Sequence, residues 1–308
     1  MLIKRSVALL IVILIFAAGL AQQVNFIYRN SRDSLQNFYV VRPPVGKAAG
    51  GIILIQRGLS DSSKKIAYSK GILLMTVVLT NNDLDLFMDT IILKQLDSMI
   101  NEAIVKYKVP AGKIVIGGMS VAGTAAIRYA EYCAGGNSVF HFKPAAIVAI
   151  DPPLDYERLF NESENAILRN YNQDAVSEGQ QLTAFFKTKM RGTPDENRLA
   201  YQQASPFSHT AKQGGNASIL KDTRIRIYTE PDINWWIENR RKDFYDLNVL
   251  DIAAFINQLK LIGNNKVELM VTNKKGYTTD GNRHPHSWSI VNEGEFLNWC
   301  LHLFNAVQ

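Results

Sequence analysis

Residues 114–123 read IVIGGMSVAG, and this short stretch says the most about the fold. Its branched apolar residues predict a buried strand, and the alanine-rich segment after Val121 predicts a helix. Ser120 lies between them, with Gly118 two residues before it and Ala122 two residues after it. A tight strand-to-helix turn needs small residues at those positions, and it raises the serine Oγ above the sheet. The stretch therefore predicts that Ser120 is a nucleophile, on a Gly-x-Ser-x-Ala variant of the usual Gly-x-Ser-x-Gly turn.

Short apolar runs alternate with helix-period segments on both sides of this turn. The predicted strands are residues 38–41, 51–55, 72–79, 114–116, 145–150, 224–229 and 267–271. The predicted helices are residues 89–107, residues 247–261 and a terminal helix with a buried stripe at Phe296, Trp299, Cys300 and Leu303. Residues 152–222 are polar and rich in helix breakers, which indicates a partly helical insertion. The alternation predicts an α/β fold with a mostly parallel sheet.

Residues 38–305 resemble the α/β-hydrolase superfamily in the order of strands and helices and in the turn at Ser120. The esterase and prolyl-oligopeptidase-like branches are the most similar, since they often carry a Ser-Pro before the strand that bears the acid, as Ser205-Pro206 does here. The resemblance implies a mostly parallel central sheet with helices on both faces and a helical lid insertion at residues 152–222. It also implies the chain order serine, acid, histidine.

The acid should follow a strand, and residues 224–229 run into Glu230-Pro231-Asp232. In relatives the corresponding loop often reads Gly-Glu-x-Asp with the last Asp catalytic, so the resemblance assigns Asp232 as the carboxylate that orients the histidine. Two alternatives stay open. Glu230 lies in the same loop. Asp151 follows the preceding strand, where some hydrolases carry the acid, although a turn or helix cap also explains an Asp there.

The base should follow the last strand, where residues 283–288 read RHPHSW. His286 is followed by Ser-Trp and the terminal helix, as the catalytic histidine is in several esterases, so His286 is preferred to His284. His286 would take the Ser120 proton and then protonate the leaving group, while Asp232 would hold the imidazole in the correct tautomer.

Two backbone amides should form the oxyanion hole. The turn aims the amide of Val121 and the helix N-terminus at the developing charge. The second amide should come from the loop after residues 51–55, which reads Gln56-Arg57-Gly58-Leu59. Arg57 stands where relatives often have His, and Leu59 is the predicted donor.

The side chains around the pocket are less well defined by the sequence. Trp235 and Trp236 follow the predicted acid and either line the pocket or cap a helix. The aromatic residues Phe185, Phe186 and Tyr201 are expected to pack within the insertion. Arg and Lys residues in this region leave an anionic substrate open.

The N-terminus has the layout of a signal peptide. Lys4 and Arg5 precede the apolar residues 7–18, and Gly19-Leu20-Ala21 supplies small residues before Gln22. The apolar run is short for a membrane span, which needs about 20 residues. Residues 1–21 are therefore predicted to be removed, which leaves an exported α/β-hydrolase domain over residues 22–308, periplasmic or extracellular and without a stable membrane span. An uncleaved N-terminal anchor is the alternative.

Composition and motifs argue against several partners. The net charge of +6 comes without a basic run interleaved with aromatics, so no nucleic acid is expected. No phosphate-binding glycine loop is present, and no cofactor is predicted. His284 and His286 lack the spacing of a zinc site and a third ligand, so no metal is predicted. Cys133 and Cys300 are predicted to be unpaired, buried and not catalytic.

These observations predict an exported serine hydrolase that cleaves an acyl bond, most simply a carboxylic ester, in a small-molecule or peptide substrate. A prolyl-oligopeptidase-like serine peptidase is the first alternative, since it would use the same three residues. A non-catalytic hydrolase-fold binding protein is the second, because Ala122, Arg57 and the paired histidines depart from the family pattern.

Overall fold

The computed structural model of the chain describes residues 22–30 and 35–306. The predicted signal peptide, residues 1–21, lies outside them. The described residues form one eight-stranded sheet. Its strands are β1 (Asn25–Tyr28), β2 (Phe38–Arg42), β3 (Gly50–Ile55), β4 (Ile72–Val78), β5 (Ile114–Met119), β6 (Ala146–Ile150), β7 (Ile225–Thr229) and β8 (Val267–Val271).

The strand order in the sheet is β1-β2-β4-β3-β5-β6-β7-β8. β2 runs antiparallel to β1 and β4, and every other neighbouring pair is parallel. The strands β3 to β6 read as mainly apolar runs because both faces of the sheet are covered. Since parallel strands end at one edge, the loops after β5, β6, β7 and β8 meet there.

Helices cover both faces of the sheet, as predicted. They are α1 (Asp61–Ser69), α2 (Asp85–Met88), α3 (Thr90–Tyr107), α4 (Val121–Ala134), α5 (Tyr156–Arg169), α6 (Gln173–Met190), α7 (Pro194–Ala204), α8 (Ile233–Arg240), α9 (Asn248–Leu261) and α10 (Glu293–Ala306). The helices α3, α4 and α9 pack on one face, and α1 and α10 pack on the other.

The two cysteines lie on opposite faces of the sheet. Cys133 is on α4 and Cys300 is on α10, and both are free thiols. Cys300 is buried, whereas Cys133 is only half-buried, which differs from the prediction that both are buried. Burial raises the pKa of the Cys133 thiol to about 12, so it stays protonated at neutral pH.

The insertion between β6 and β7 folds into the three helices α5, α6 and α7. Phe186 and Tyr201 are fully buried in a small core with Phe87 and Phe160. The aromatic residues therefore hold the insertion together, as expected. Thr193 begins α7 with a capping box, in which its side chain accepts from the Glu196 amide while the Glu196 carboxylate accepts from the Thr193 amide.

Candidate active site

Ser120 sits on a strained turn between β5 and α4. Its φ is 55° and its ψ is −132°, a region that a residue with a side chain rarely adopts. The Ser120 amide donates to the carbonyl of Ile150 at the end of β6 (2.8 Å), and the Ser120 carbonyl accepts from the Thr124 amide (3.0 Å). Both backbone groups are thus held, and Ser120 lines a cavity in which its hydroxyl has no hydrogen-bond partner among the described residues.

The space around this turn explains its two small neighbours. A Cβ at Gly118 would lie 2.4 Å from the carbonyl oxygen of Ala122, so only glycine fits two residues before the serine. At position 122 the turn accommodates a methyl group, and Ala122 is 5% exposed. The Gly-x-Ser-x-Ala pattern is therefore compatible with the turn, because the close approach falls on the glycine side.

His286 lies in the loop after β8 and forms a hydrogen bond with a carboxylate. Its Nδ1 is 2.6 Å from Oδ2 of Asp151, the residue that follows β6. An ionised carboxylate only accepts hydrogen bonds, so Nδ1 carries the proton and Nε2 is the basic nitrogen. The second oxygen, Oδ1 of Asp151, accepts from the hydroxyl of Thr229 at 2.7 Å. The carboxylate is thus fixed from both sides.

The choice of Asp232 as the orienting acid is corrected by these contacts. Asp232 Oδ2 lies 2.6 Å from Nη2 of Arg283, and its Oδ1 accepts from the Trp235 amide at the start of α8. Asp232 is therefore a helix cap and an ion-pair partner. Asp151, which the sequence leaves open as the second alternative, is the residue bonded to the imidazole.

Glu230, the first alternative acid, is also committed elsewhere. Its carboxylate accepts from the amides of Lys275 (2.8 Å) and Gly276 (3.1 Å) and from the hydroxyl of Thr272 (2.8 Å). Oε1 of Glu230 lies 2.6 Å from Nη2 of Arg283. The carboxylate that ends β7 therefore anchors the loop that leads to the histidines.

His284 lies beside the site but points its ring differently. Its Nδ1 is 3.1 Å from the carbonyl oxygen of His286, so Nδ1 donates and Nε2 is left as an acceptor. The ring packs edge-on against Trp235 and Trp236, at centroid distances of 4.8 and 5.8 Å. Burial lowers the pKa of His284, and the neighbouring His286 and Arg240 act in the same direction.

The pKa of His286 is raised. Burial alone would lower it, but the hydrogen bond to Asp151 and the charges of Asp151 and Glu178 outweigh that effect. The imidazolium form is therefore stabilised at this position, which is what a base that receives a proton in the transition state requires.

The predicted oxyanion amides are placed differently by the structure. Val121 is the first residue of α4 and lines the same cavity as Ser120. Leu59 is buried in the core under α10 and lines a separate small pocket rather than this cavity, so its role in the oxyanion hole stays a prediction. The Gln56 side chain turns this loop toward β4, because it bonds the Leu79 amide and the Thr80 carbonyl.

Ser120, Asp151 and His286 line one cavity of about 440 Å³, together with His284 and Val121. Helices α5 and α6 of the insertion contribute further walls, and so do the loop after β4 and the segment that contains α8. Trp236 lines the cavity. Trp235 is not one of its lining residues, and its ring packs against the ring of His284. The volume is within the range of small-molecule sites, about 300–1,000 Å³.

Several solved structures are similar to this chain in fold. The acylaminoacyl peptidase of Pyrococcus horikoshii is similar, with a TM-score of 0.59 and 12% identity over 96% of this chain and 44% of that one. Esterase B of Lactobacillus rhamnosis has a TM-score of 0.54 and 10% identity, over 93% of this chain and 88% of the esterase. The esterase Est2 of Thermogutta terrifontis has a TM-score of 0.52 and 13% identity, over 91% of each chain.

The chain has the α/β-hydrolase fold. It spans less than half of the length of the acylaminoacyl peptidase, whereas it spans most of the two esterases. No protein-family model matches the sequence, and no curated protein matches it either. At these identities the α/β-hydrolase likeness establishes the fold, and the chemistry has to be argued from the site.

Proposed function

We propose that this α/β-hydrolase-fold chain is a serine hydrolase that cleaves a carboxylic ester through Ser120, His286 and Asp151. One observation carries the proposal: a serine on a strained strand-to-helix turn shares a cavity with a histidine whose far nitrogen is bonded to a buried carboxylate. An incidental serine would not need a φ of 55°, and strain of this kind typically costs about 1–3 kcal/mol.

The chemistry follows from the tautomer of His286. Nε2 takes the Ser120 proton as Oγ forms a bond to the acyl carbon, and the carbonyl oxygen becomes an oxyanion that the Val121 amide stabilises. When the tetrahedral species collapses, the bond to the leaving group breaks and Nε2 gives that group the proton. Water then attacks the acyl-enzyme in the same way and regenerates Ser120. Asp151 keeps Nδ1 protonated throughout.

Labelling by a fluorophosphonate probe tests the serine directly. We expect one label per molecule, located at Ser120, with no label on Ser120→Ala. Ser69→Ala is the matched control, because Ser69 is exposed on α1 and does not line the cavity. A folded protein that is not labelled, or a Ser120→Ala variant that is labelled equally, would contradict the proposal.

Turnover separates an esterase from a peptidase. We expect hydrolysis of p-nitrophenyl butyrate and much slower hydrolysis of aminoacyl p-nitroanilides. Faster cleavage of the anilides would instead assign the same residues to a serine peptidase.

We also propose that the chain is exported. The charged and apolar pattern of residues 1–21 supports this. Within residues 22–30 and 35–306, no helix is both long and apolar enough to cross a bilayer. Expression of the full chain in a bacterial host, followed by N-terminal sequencing of the periplasmic fraction, tests it: mature protein beginning at Gln22 is the expected result.

A further inference from the structure

The charges that line the cavity are unequal in number. Among the described residues, six acidic and two basic residues line it, leaving the histidines aside. The carboxylates belong to Asp83, Asp151, Glu162, Glu178, Glu230 and Asp246, and the cations to Arg240 and Lys242. What a substrate experiences depends on which of these charges are already paired.

Both cations of the cavity are occupied. Lys242 forms an ion pair with the buried carboxylate of Glu162. Arg240 donates to the side-chain oxygen of Asn172 and lies 3.9 Å from Asp174. The anionic substrate that the sequence leaves open would therefore have to displace an existing contact to find a positive charge here.

Five of the six carboxylates are also satisfied by the protein. Asp151 is bonded to His286 and Glu230 to Arg283. Asp246 pairs with Arg169, and Asp83 accepts from the side-chain amide of Gln56. Glu162 pairs with Lys242, as described.

Glu178 is the exception. In the described part of the chain its carboxylate has no ion-pair or hydrogen-bond partner, although it lines the cavity from α6. The negative charge of Glu178 acts on His286, since it is one of the groups that raise the pKa of that residue. The free charge is thus on the cavity side of the insertion and within electrostatic range of the reacting atoms.

His284 adds a neutral acceptor to the same cavity. Its Nδ1 is used on the carbonyl of His286, so Nε2 is left to accept a hydrogen bond. Because burial lowers its pKa, the ring is uncharged at neutral pH and does not repel a cation. Among the ionisable side chains of the described cavity lining, the unpaired groups are therefore acceptors.

We propose that the substrate of this hydrolase carries a cationic nitrogen, and that Glu178 recognises it. The proposal rests on the serine hydrolase function argued above. It names the substrate class as acyl compounds with an ammonium group, on either the acyl or the leaving-group side, and it makes Glu178 a specificity-determining residue.

Two esters of the same shape test the charge alone. Butyrylcholine and 3,3-dimethylbutyl butyrate differ in that a quaternary nitrogen replaces a quaternary carbon. The measurement is the ratio of kcat/KM for the cationic ester to kcat/KM for the neutral ester, taken at pH 8. We expect the ratio to favour the cationic ester, and Glu178→Gln to lower it by about fivefold, the upper end for a solvent-exposed ion pair.

Glu164→Gln is the matched control. Glu164 lies on the insertion helix α5 and does not line the cavity, so the same loss of charge there should leave the ratio unchanged. A wild-type ratio near one, a Glu178→Gln ratio equal to that of the wild type, or an equal fall in both variants would each overturn the proposal.

Labelling at Ser120 keeps this test separate from that of the hydrolase function. If neither ester is turned over but fluorophosphonate labels Ser120, choline is expected to slow the labelling of wild-type protein more than that of Glu178→Gln, and equal protection overturns the proposal. Absence of labelling would instead remove the hydrolase function on which the proposal rests, and the proposal with it.

Discussion

Replacing Asp151 by Asn should abolish most of the activity, whereas replacing Asp232 by Asn should not. The carboxylate of Asp151 accepts the Nδ1 proton of His286 at 2.6 Å. An Asn amide at that place can donate to Nδ1, which would move the ring proton to Nε2. A histidine protonated at Nε2 does not accept the serine proton. The equivalent change in serine-protease triads lowers kcat by roughly 10⁴, or about 5.5 kcal/mol at 1.36 kcal/mol per tenfold.

The contacts of Asp232 predict that its replacement by Asn lowers stability and activity much less. Asp232 caps α8 through the Trp235 amide and shares Arg283 with Glu230. An Asn remains a good cap, and Glu230 still holds Arg283, so we expect Asp232→Asn to lose no more than about 1 kcal/mol of stability and less than tenfold in kcat.

The assay is steady-state hydrolysis of p-nitrophenyl butyrate, with rates divided by the active-site concentration. Thermal unfolding midpoints check that both variants fold. Asp151→Asn keeps an oxygen that can accept from Thr229, so its midpoint should fall by only a few degrees. Retention of activity within tenfold by Asp151→Asn, with a large loss in Asp232→Asn, would refute the assignment and restore the acid that the sequence favours.

Three other perturbations follow from the same geometry. Gly118→Ala should abolish fluorophosphonate labelling because its Cβ would lie 2.4 Å from the Ala122 carbonyl, whereas Ala122→Gly should stay active; equal labelling of the two would contradict the packing argument. Arg283→Gln should lower the free energy of unfolding by about 3–5 kcal/mol, measured by urea titration, because it leaves the buried carboxylate of Glu230 without its cation. On the acid side, kcat/KM should fall with an apparent pKa above the ordinary histidine value of about 6.5, because the pKa of His286 is raised and activity is lost as its ring protonates. Asp151→Asn should shift the apparent pKa of any residual activity to lower pH, because it removes the charge that raises the pKa of His286.

Much of the sheet was predictable because its inner strands are buried on both faces. Such strands read as mainly apolar runs, and the predicted bounds of β3 to β8 agree with the structure within a few residues. β1 was missed: Asn25–Tyr28 is only four residues long and lies at the sheet edge, where Phe26 and Tyr28 are exposed, so it does not read as a buried strand. The helix α1 was missed as well, because it buries only Ser63 and Ala67 and presents polar residues elsewhere.

The serine turn was predictable from local sequence, whereas the position of the loop after β3 was not. The requirement for glycine at position 118 is met within five residues of chain. The position of Leu59 depends instead on distant groups. The carboxylate of Glu293 accepts from the Ser60 amide and from the indole nitrogen of Trp288, and so it draws the loop after β3 toward α10. A contact across more than 200 residues leaves no pattern in the loop itself.

The acid was misassigned because two neighbouring strands offer it from almost the same place. β6 and β7 are parallel neighbours in register Ile150 to Tyr228, so Asp151 lies opposite Thr229, about one strand spacing of 4.8 Å away. The hydroxyl of Thr229 binds the Asp151 carboxylate across that gap. The loop that carries His286 crosses this edge of the sheet, where the residues that follow β6 and β7 are both within its reach.

Which strand end the histidine reaches is decided by the anchoring of its loop. Glu230 binds the Lys275 and Gly276 amides and, with Asp232, holds Arg283. Both carboxylates that follow β7 bind groups of the histidine loop or of α8, and the carboxylate left for the imidazole belongs to Asp151, the residue that follows β6. The sequence places acids after both strands, but only the pairing of Arg283 determines which is free to act on His286.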